Sequence, residues 1–248
     1  MLEYVKETTS APGRHWTGPP ELASKPKTCA PVPRASARFG ETTLRSRPQN
    51  KAEPLRLFVL TRHGESELNA LRRVNGDPSV PVRLTAAGEA EAAGLALQVA
   101  NLELDVCVHT RFLRTRHTAE IAVGQRAIPL VEEPLLDDID VGELEGKTIE
   151  DYRAWKHGRT RSESFPGGES LDDAARRYAL AFRSLLERPE RRTLVVCHEI
   201  PVRYALNGAI GSDSLDGPAH EIGNCIPHLF DEDGLERAVA GINRLVKP

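Results

Sequence analysis

Residues 61–64 read Thr-Arg-His-Gly, which sets a nucleophile candidate, His63, between a permanent cation and a glycine. The planar guanidinium of Arg62 matches phosphate oxygens in pairs. Gly64 lets the backbone pass close to a ligand. An imidazole in this company could attack phosphorus. The tripeptide alone also fits an exposed loop histidine beside a surface charge, so its placement matters. Leu55–Leu60 is a short apolar run of strand formers bounded by Pro54, and it predicts a buried strand. Glu65–Val74 has helix-forming composition. The loop between a strand's carboxyl end and a helix is where open α/β sheets bind ligands. The amino terminus of that predicted helix would favour an anion.

Asn69 follows His63 by six residues. Arg-His-Gly-Glu-Ser and then this Asn, at a strand-to-helix turn, resembles the signature of the histidine phosphatase superfamily, also called phosphoglycerate-mutase-like. The match runs over about residues 55–230, and three further stretches carry it. Thr110–Ala119 (TRFLRTRHTA) follows a strand-like run and brings in Arg114 at the first turn of a helix. Arg114 resembles the family's second phosphate-binding arginine; two guanidinium groups can grip three oxygens and leave phosphorus open to attack. Arg111 and Arg116 read as a solvated helix face. Thr193–Tyr204 (TLVVCHEIPVRY) repeats the layout of His63, with His198 at a strand end before a helix. His198 resembles the family's second histidine, which contacts the transferring phosphoryl group. Leu136–Gly146 (LDDIDVGELEG) resembles the segment in which an acid precedes a glycine by four residues. That register selects Asp138, with Gly142 four residues on, over Asp137 and Asp140, which read as turn formers. One position departs from the pattern. The family usually has Gly after its second histidine, and here stands Glu199. An acid at this place repels a phosphate unless it points away or pairs with a cation.

The resemblance implies a phosphomonoesterase that forms a phosphohistidine on His63. Arg62, Asn69, Arg114 and His198 would hold the phosphoryl oxygens, and Asp138 would serve as acid and then base. It implies no metal and no other cofactor, since fixed cations offset the charge. A metal bound by His63, His198 and aspartates would sit badly among these arginines. The expected partner is a small phosphate ester. The same phosphohistidine would serve a phosphoglycerate mutase, the second reading. A catalytically silent binding module is the third, and the complete residue set argues against it.

These residues need elements to hold them. Asp105–Thr110, Ile128–Val131, Thr193–Cys197 and His228–Phe230 read as further strands. Thr85 caps an Ala-rich helix running to about Asn101. Arg111–Val123 is a helix closed by Gly124. Thr148 with Asp151, and Ser170 with Asp173, have capping-box spacing for helices over 148–157 and 170–188. Leu171, Ala175, Tyr178, Phe182 and Leu185 make one apolar stripe on the second of these. Helices over 201–210 and 235–246 follow, with Pro201 in the first turn of the former. The alternation predicts a three-layer α/β/α fold, with a mainly parallel sheet and helices on both faces. Gly158–Gly168, with Arg159 and Arg161 at its start, is expected to cover the pocket mouth and select the substrate.

A chain of 248 residues with 40% hydrophobic content suffices for one sizeable α/β domain. Residues 1–50 differ from the rest, with seven prolines, eight Lys/Arg and four Asp/Glu. They predict a basic, poorly packed tail ahead of a catalytic domain over 51–248. Net charge is −3, which gives no sign of nucleic-acid binding, and no stretch approaches a membrane span. The four cysteines are scattered without a C-x-x-C pair, which fits a reducing cytoplasm. Oligomeric state is not legible.

Overall fold

Among the described residues five strands form one sheet, and their pairing brings three chain segments to one edge. A computed structural model describes residues 55–246; the expected tail over 1–50 lies outside them. The strands are β1 (Leu57–Arg62), β2 (Val106–His109), β3 (Leu130–Glu132), β4 (Arg192–Cys197) and β5 (His228–Asp231). The sheet order is β3-β2-β4-β1-β5. β1, β2, β3 and β4 run parallel, while β5 lies antiparallel to β1. The helices are α1 (Glu67–Ala70), α2 (Ala86–Gln98), α3 (Leu113–Val123), α4 (Ile149–Lys156), α5 (Leu171–Glu187), α6 (Glu199–Ala209) and α7 (Glu232–Leu245).

Strand alternation divides the core into two layers. Phe58, Leu60, Val106, Val108, Val195 and Cys197 face one side, against Tyr178 and Phe182 of α5, Tyr204 of α6 and Leu235 and Ile242 of α7. Val59, Cys107, Leu194 and Val196 face the other, against Ala92 and Leu95 of α2 and Ala119 and Ala122 of α3. The expected three-layer α/β/α fold with a mainly parallel sheet is what forms.

The sheet register sets up the site. Arg62 pairs with Cys197 and His109 with Val196, so β1, β4 and β2 end together. The next residues are His63, His198 and Thr110. The backbone N–H of His63 donates to the Cys197 carbonyl at 3.0 Å, which extends the pairing one step beyond β1.

One expected element is much shorter than the sequence suggests. The helix predicted over 65–74 is a single turn, Glu67–Ala70, with no buried residue. Ser66 and Asn69 close a reciprocal capping box around it. Arg72 then takes a left-handed backbone with φ of 53°. This segment has no apolar stripe to bury, so nothing extends the helix. An anion here must therefore be held by side chains rather than by the dipole of α1.

Candidate active site

The nucleophile candidate is not an exposed loop residue. His63 is 2% exposed. Its Nδ1 lies 2.7 Å from the Gly64 carbonyl, to which it can only donate, so the lone pair is on Nε2. That lone pair accepts from Nε–H of Arg114 at 2.9 Å. Burial, Arg114 and Arg62 hold the His63 pKa well below its usual value, so the ring is neutral near pH 7. Several bonds fix the loop. Gly64 N–H donates to Thr118 of α3 at 3.1 Å, and the Asn224 amide donates to the His63 carbonyl at 2.7 Å.

Arg114 enters from the first turn of α3, as its sequence position implies, and is 3% exposed. Its guanidinium donates to Asn75 Oδ1 at 2.5 Å, the Asn75 carbonyl at 3.2 Å and Asp138 Oδ2 at 3.2 Å. Burial lowers its pKa to about 10, with Asp138 and Glu145 opposing the fall, and it stays charged at neutral pH. Arg62 lies on the other side of His63. One of its Nη groups donates to the Ile222 carbonyl at 3.0 Å and meets Glu199 at 3.0 Å, while its buried Nε has no partner.

His198 is fully buried and lies behind the cavity wall rather than on it. Its ring meets His63 edge-on, with centroids 5.4 Å apart. Nδ1 lies 3.2 Å from an Nη of Arg114, which can only donate, so the His198 proton sits on Nε2 and points at Thr110 Oγ1, 3.0 Å away. Thr110 in turn meets Thr115 at 2.8 Å. Burial first, then Arg114 and His63, push the His198 pKa well below its usual value.

Of the three aspartates in the acid segment, the structure brings only Asp138 to this group. Its Oδ2 lies 3.5 Å from His198 Nδ1. Asp137 turns away and is buried, accepting from the backbone and side chain of Arg111 at 3.0 and 2.5 Å. Arg111 is half exposed, as a solvated charge would be, but it is paired with Asp137 and stands ahead of α3 rather than on its face. Asp140 accepts from the Gly142 N–H and builds the turn. Leu136, Ile139 and Val141 anchor the segment in the core, which fixes the alternation that aims Asp138 inward. Burial raises the Asp138 pKa above the usual carboxylate value, against Arg114, the Ile139 N–H and Arg62, with Glu199 adding to the rise.

A cavity of about 760 Å³ opens over His63. Arg62, Asn69, Arg114 and Asp138 line it, together with Arg153 and Lys156 of α4 and Glu199 and Arg203 of α6. Among the described residues no group of three or more His, Cys, Asp or Glu side chains could hold a metal ion.

Residues 58–244 match the sequence profile of the histidine phosphatase superfamily (branch 1). The chain belongs to this superfamily. Its relatives include a Salmonella choleraesuis protein named as a probable phosphoglycerate mutase, GpmB. The two are 31% identical over 160 residues, covering 61% of this chain and 74% of that protein. Among solved structures, Bacillus stearothermophilus YhfR aligns at 29% identity with a TM-score of 0.62, over 70% of this chain and 89% of that one. The alpha-ribazole phosphatase of Shigella flexneri shares the fold, at 22% identity and a TM-score of 0.62 over 70% and 89% of the two chains.

One expectation about this histidine phosphatase changes with the structure, and of the alternatives left open for Glu199 the structure shows the pairing with cations. The loop 158–168 does not bring its arginines to the cavity. Arg161 is committed to Asp172, Asp216 and the Tyr204 hydroxyl at 3.0, 2.6 and 3.0 Å. Arg159 pairs with Glu163 at 3.7 Å and lies over the Trp155 ring. The cations that do line the cavity come from α4 and α6. Glu199, the departure from the family's glycine, lies between Arg62 and Arg203 and pairs with both.

Sequence reasoning missed the residues that aim the others. Asn75 holds Arg114, and Glu145 holds Asn75 at 2.7 Å. Arg177 of α5 donates to the carbonyls of Leu135, Asp137 and Asp138 at 2.9, 2.9 and 3.3 Å. Asn75 stands in a turn-like Asn-Gly-Asp-Pro run, which signals a loop and nothing about its partner. Arg177 lies on a helix whose apolar stripe dominates its reading. Neither has a local signal of its contacts.

Proposed function

We propose that this histidine phosphatase hydrolyses the phosphate monoester of a small metabolite in two steps, through a phosphohistidine on His63. The observation that carries the reading is the fixed tautomer of His63, with Nδ1–H on the Gly64 carbonyl and the Nε2 lone pair among arginines. Nε2 attacks phosphorus as the bond from phosphorus to the ester oxygen breaks. Nε–H of Arg114, released from the lone pair, turns to a non-bridging oxygen. The unpartnered Nε–H of Arg62 is a second donor, and Asn69 a third. Asp138 gives its proton to the departing alkoxide. It then takes one from the water that splits the phosphohistidine, which returns His63 to its neutral form. His198 presents a lone pair at Nδ1 to Arg114, so it can donate to the phosphoryl group only once protonated. A bound dianion favours that protonation by offsetting the field of Arg114.

The test is a phosphoenzyme trap. Rapid quench with a 32P-labelled phosphate ester should label wild type with a base-stable, acid-labile phosphoryl group. His63→Ala should give no label and no turnover. Equal labelling of the variant would take the nucleophile role from His63. Similarity to a phosphoglycerate mutase keeps an isomerase as the second reading, because it would use the same phosphohistidine. Release of inorganic phosphate from 3-phosphoglycerate, without 2-phosphoglycerate, separates the two.

A further inference from the structure

The two peptide groups that flank Gly64 are held by side chains from three parts of the chain, none of which lines the cavity. The His63–Gly64 peptide is fixed at both ends. Asn224, ahead of β5, donates to the His63 carbonyl, and the Gly64 N–H donates to Thr118 of α3. The Thr118 hydroxyl donates in turn to the Arg114 carbonyl at 2.7 Å, which ties the loop to the turn that carries Arg114. The next peptide, Gly64–Glu65, has a different pair of partners. Its carbonyl accepts from Nδ1–H of His63 at 2.7 Å, and its N–H donates to Oε2 of Glu91 on α2 at 2.8 Å. These two groups point in opposite directions across a planar trans peptide. Carboxylate, peptide and imidazole therefore form one chain of hydrogen bonds, with the attacking Nε2 at its far end.

We propose that Glu91 is a positioning residue for the nucleophile, whose charge acts through the Gly64–Glu65 peptide to strengthen the hydrogen bond on Nδ1 and make Nε2 a better nucleophile. A carboxylate that accepts from an amide polarises it, and the carbonyl oxygen of that amide becomes a stronger acceptor. A stronger acceptor on Nδ1–H holds the ring in one tautomer. It also stabilises the positive charge that builds on the ring as Nε2 bonds to phosphorus. His63 has use for such support. Burial, Arg114 and Arg62 depress its affinity for a proton, and the Gly64 hydrogen bond opposes them. Glu65 does not take this role with its own carboxylate, which accepts from the Thr85 hydroxyl at 2.8 Å. Glu91 reaches the loop because Gly88, three residues earlier, puts no side chain between α2 and the Glu65 backbone. The inference rests on the reading of His63 as the nucleophile.

Two substitutions in the full-length protein separate charge from support. Glu91→Gln keeps the size and an oxygen acceptor but removes the charge, whereas Glu91→Ala removes both. With p-nitrophenyl phosphate, kcat/KM reads the steps through phosphoenzyme formation. It should fall ~3–10-fold in Glu91→Gln, the gap between a charged and a neutral hydrogen bond, and further in Glu91→Ala. Competitive inhibition by inorganic phosphate should stay as in wild type, because the arginines keep their own partners. Glu89→Gln removes the same charge from the exposed first turn of α2 and should leave the rate intact. Labelling with 15N-histidine adds a readout that loop support alone would not move. The Nδ1–H proton of His63, assigned by its loss in His63→Asn, should shift upfield in Glu91→Gln while the tautomer is kept. An unchanged rate or an unchanged Nδ1–H resonance in Glu91→Gln would overturn the proposal. A fall confined to Glu91→Ala would overturn it equally, leaving Glu91 as a support for the loop. Failure of the catalytic reading looks different: wild type forms no phosphoenzyme, while the Nδ1–H resonance still answers to the charge at Glu91.

Discussion

Asp138 shows what one residue can and cannot declare in a sequence. Three aspartates stand within four positions, and composition does not separate them. Only a register borrowed from relatives selected Asp138. The structure adds the physical reason, since Leu136, Ile139 and Val141 are buried and the backbone between them turns Asp138 toward Arg114 and His198. The raised pKa lets Asp138 keep its proton to a higher pH than a free carboxylate would. Activity on esters with poor leaving groups should therefore be best on the mildly acidic side and fall as pH rises past that value. His63, neutral down to low pH, leaves this window open. Asp138→Asn should cost ~10²–10⁴-fold in kcat/KM for a sugar or glycerol phosphate, the usual worth of general acid catalysis. An alkoxide needs the proton, whereas p-nitrophenolate leaves well without it, so the loss for p-nitrophenyl phosphate should be far smaller. Equal losses on both substrates would assign Asp138 to positioning instead. Glu199 was legible as a departure, but whether it repels or organises depended on Arg203, four residues on and never singled out.

At the scale of elements, helix ends were the most legible feature. Thr85, Thr148 with Asp151, and Ser170 with Asp173 cap helices as their spacing predicts. These signals work because donor and acceptor are three residues apart and need no tertiary partner. The first helix failed for the complementary reason: composition favoured it, and no packing face sustained it. What holds the nucleophile loop instead is a backbone contact with α2. A Cβ at Gly64 would come within 2.3 Å of the Gly88 carbonyl oxygen, and one at Gly88 within 2.1 Å of the Glu65 carbonyl oxygen. Neither backbone can yield alone, because His63 is tied to β4 and Asn224, while Thr85 caps α2 beneath the loop. Gly88→Ala should push α2 away from the loop. The expected cost is about 1–3 kcal/mol, or roughly 3–10 °C in Tm. Because His63 moves with the loop, kcat should fall too, although Gly88 touches no substrate. Thermal unfolding and steady-state kinetics on the same preparation check both, and a wild-type Tm would show that the two glycines are dispensable spacers.

For the whole molecule, a sheet covered on both faces was readable because short, continuously apolar strand runs alternate with helical stretches along the chain. Strand order was not, since which strand lies beside which depends on contacts between distant residues, such as Arg62 with Cys197. The same limit hid Asn75 and Arg177, whose partners come from other elements. The parallel strand ends also concentrate buried, neutral histidines in one place, and that has a consequence for stability. His63 and His198 both have folded-state pKa values well below 6.5, and His228 is lowered as well. The unfolded chain takes up these protons near pH 6.5, while the folded protein refuses them until the pH is much lower. Their stabilising contribution is therefore complete above the unfolded value and declines as pH falls below it, by about 1.4 kcal/mol per pH unit for each proton excluded. Asp137 and Asp138 act in the opposite sense. Their raised pKa values favour the folded state as they protonate, but only at pH values nearer the carboxylate range. Between pH 7.5 and 5.5 the histidines should dominate, and Tm should drop with acidification. A His63→Asn, His198→Asn double variant should show a shallower slope over the same range, whatever its Tm at pH 7.5. A flat wild-type profile, or an unchanged slope in the double variant, would mean that the paired histidines share a proton in the folded state and are not held neutral together.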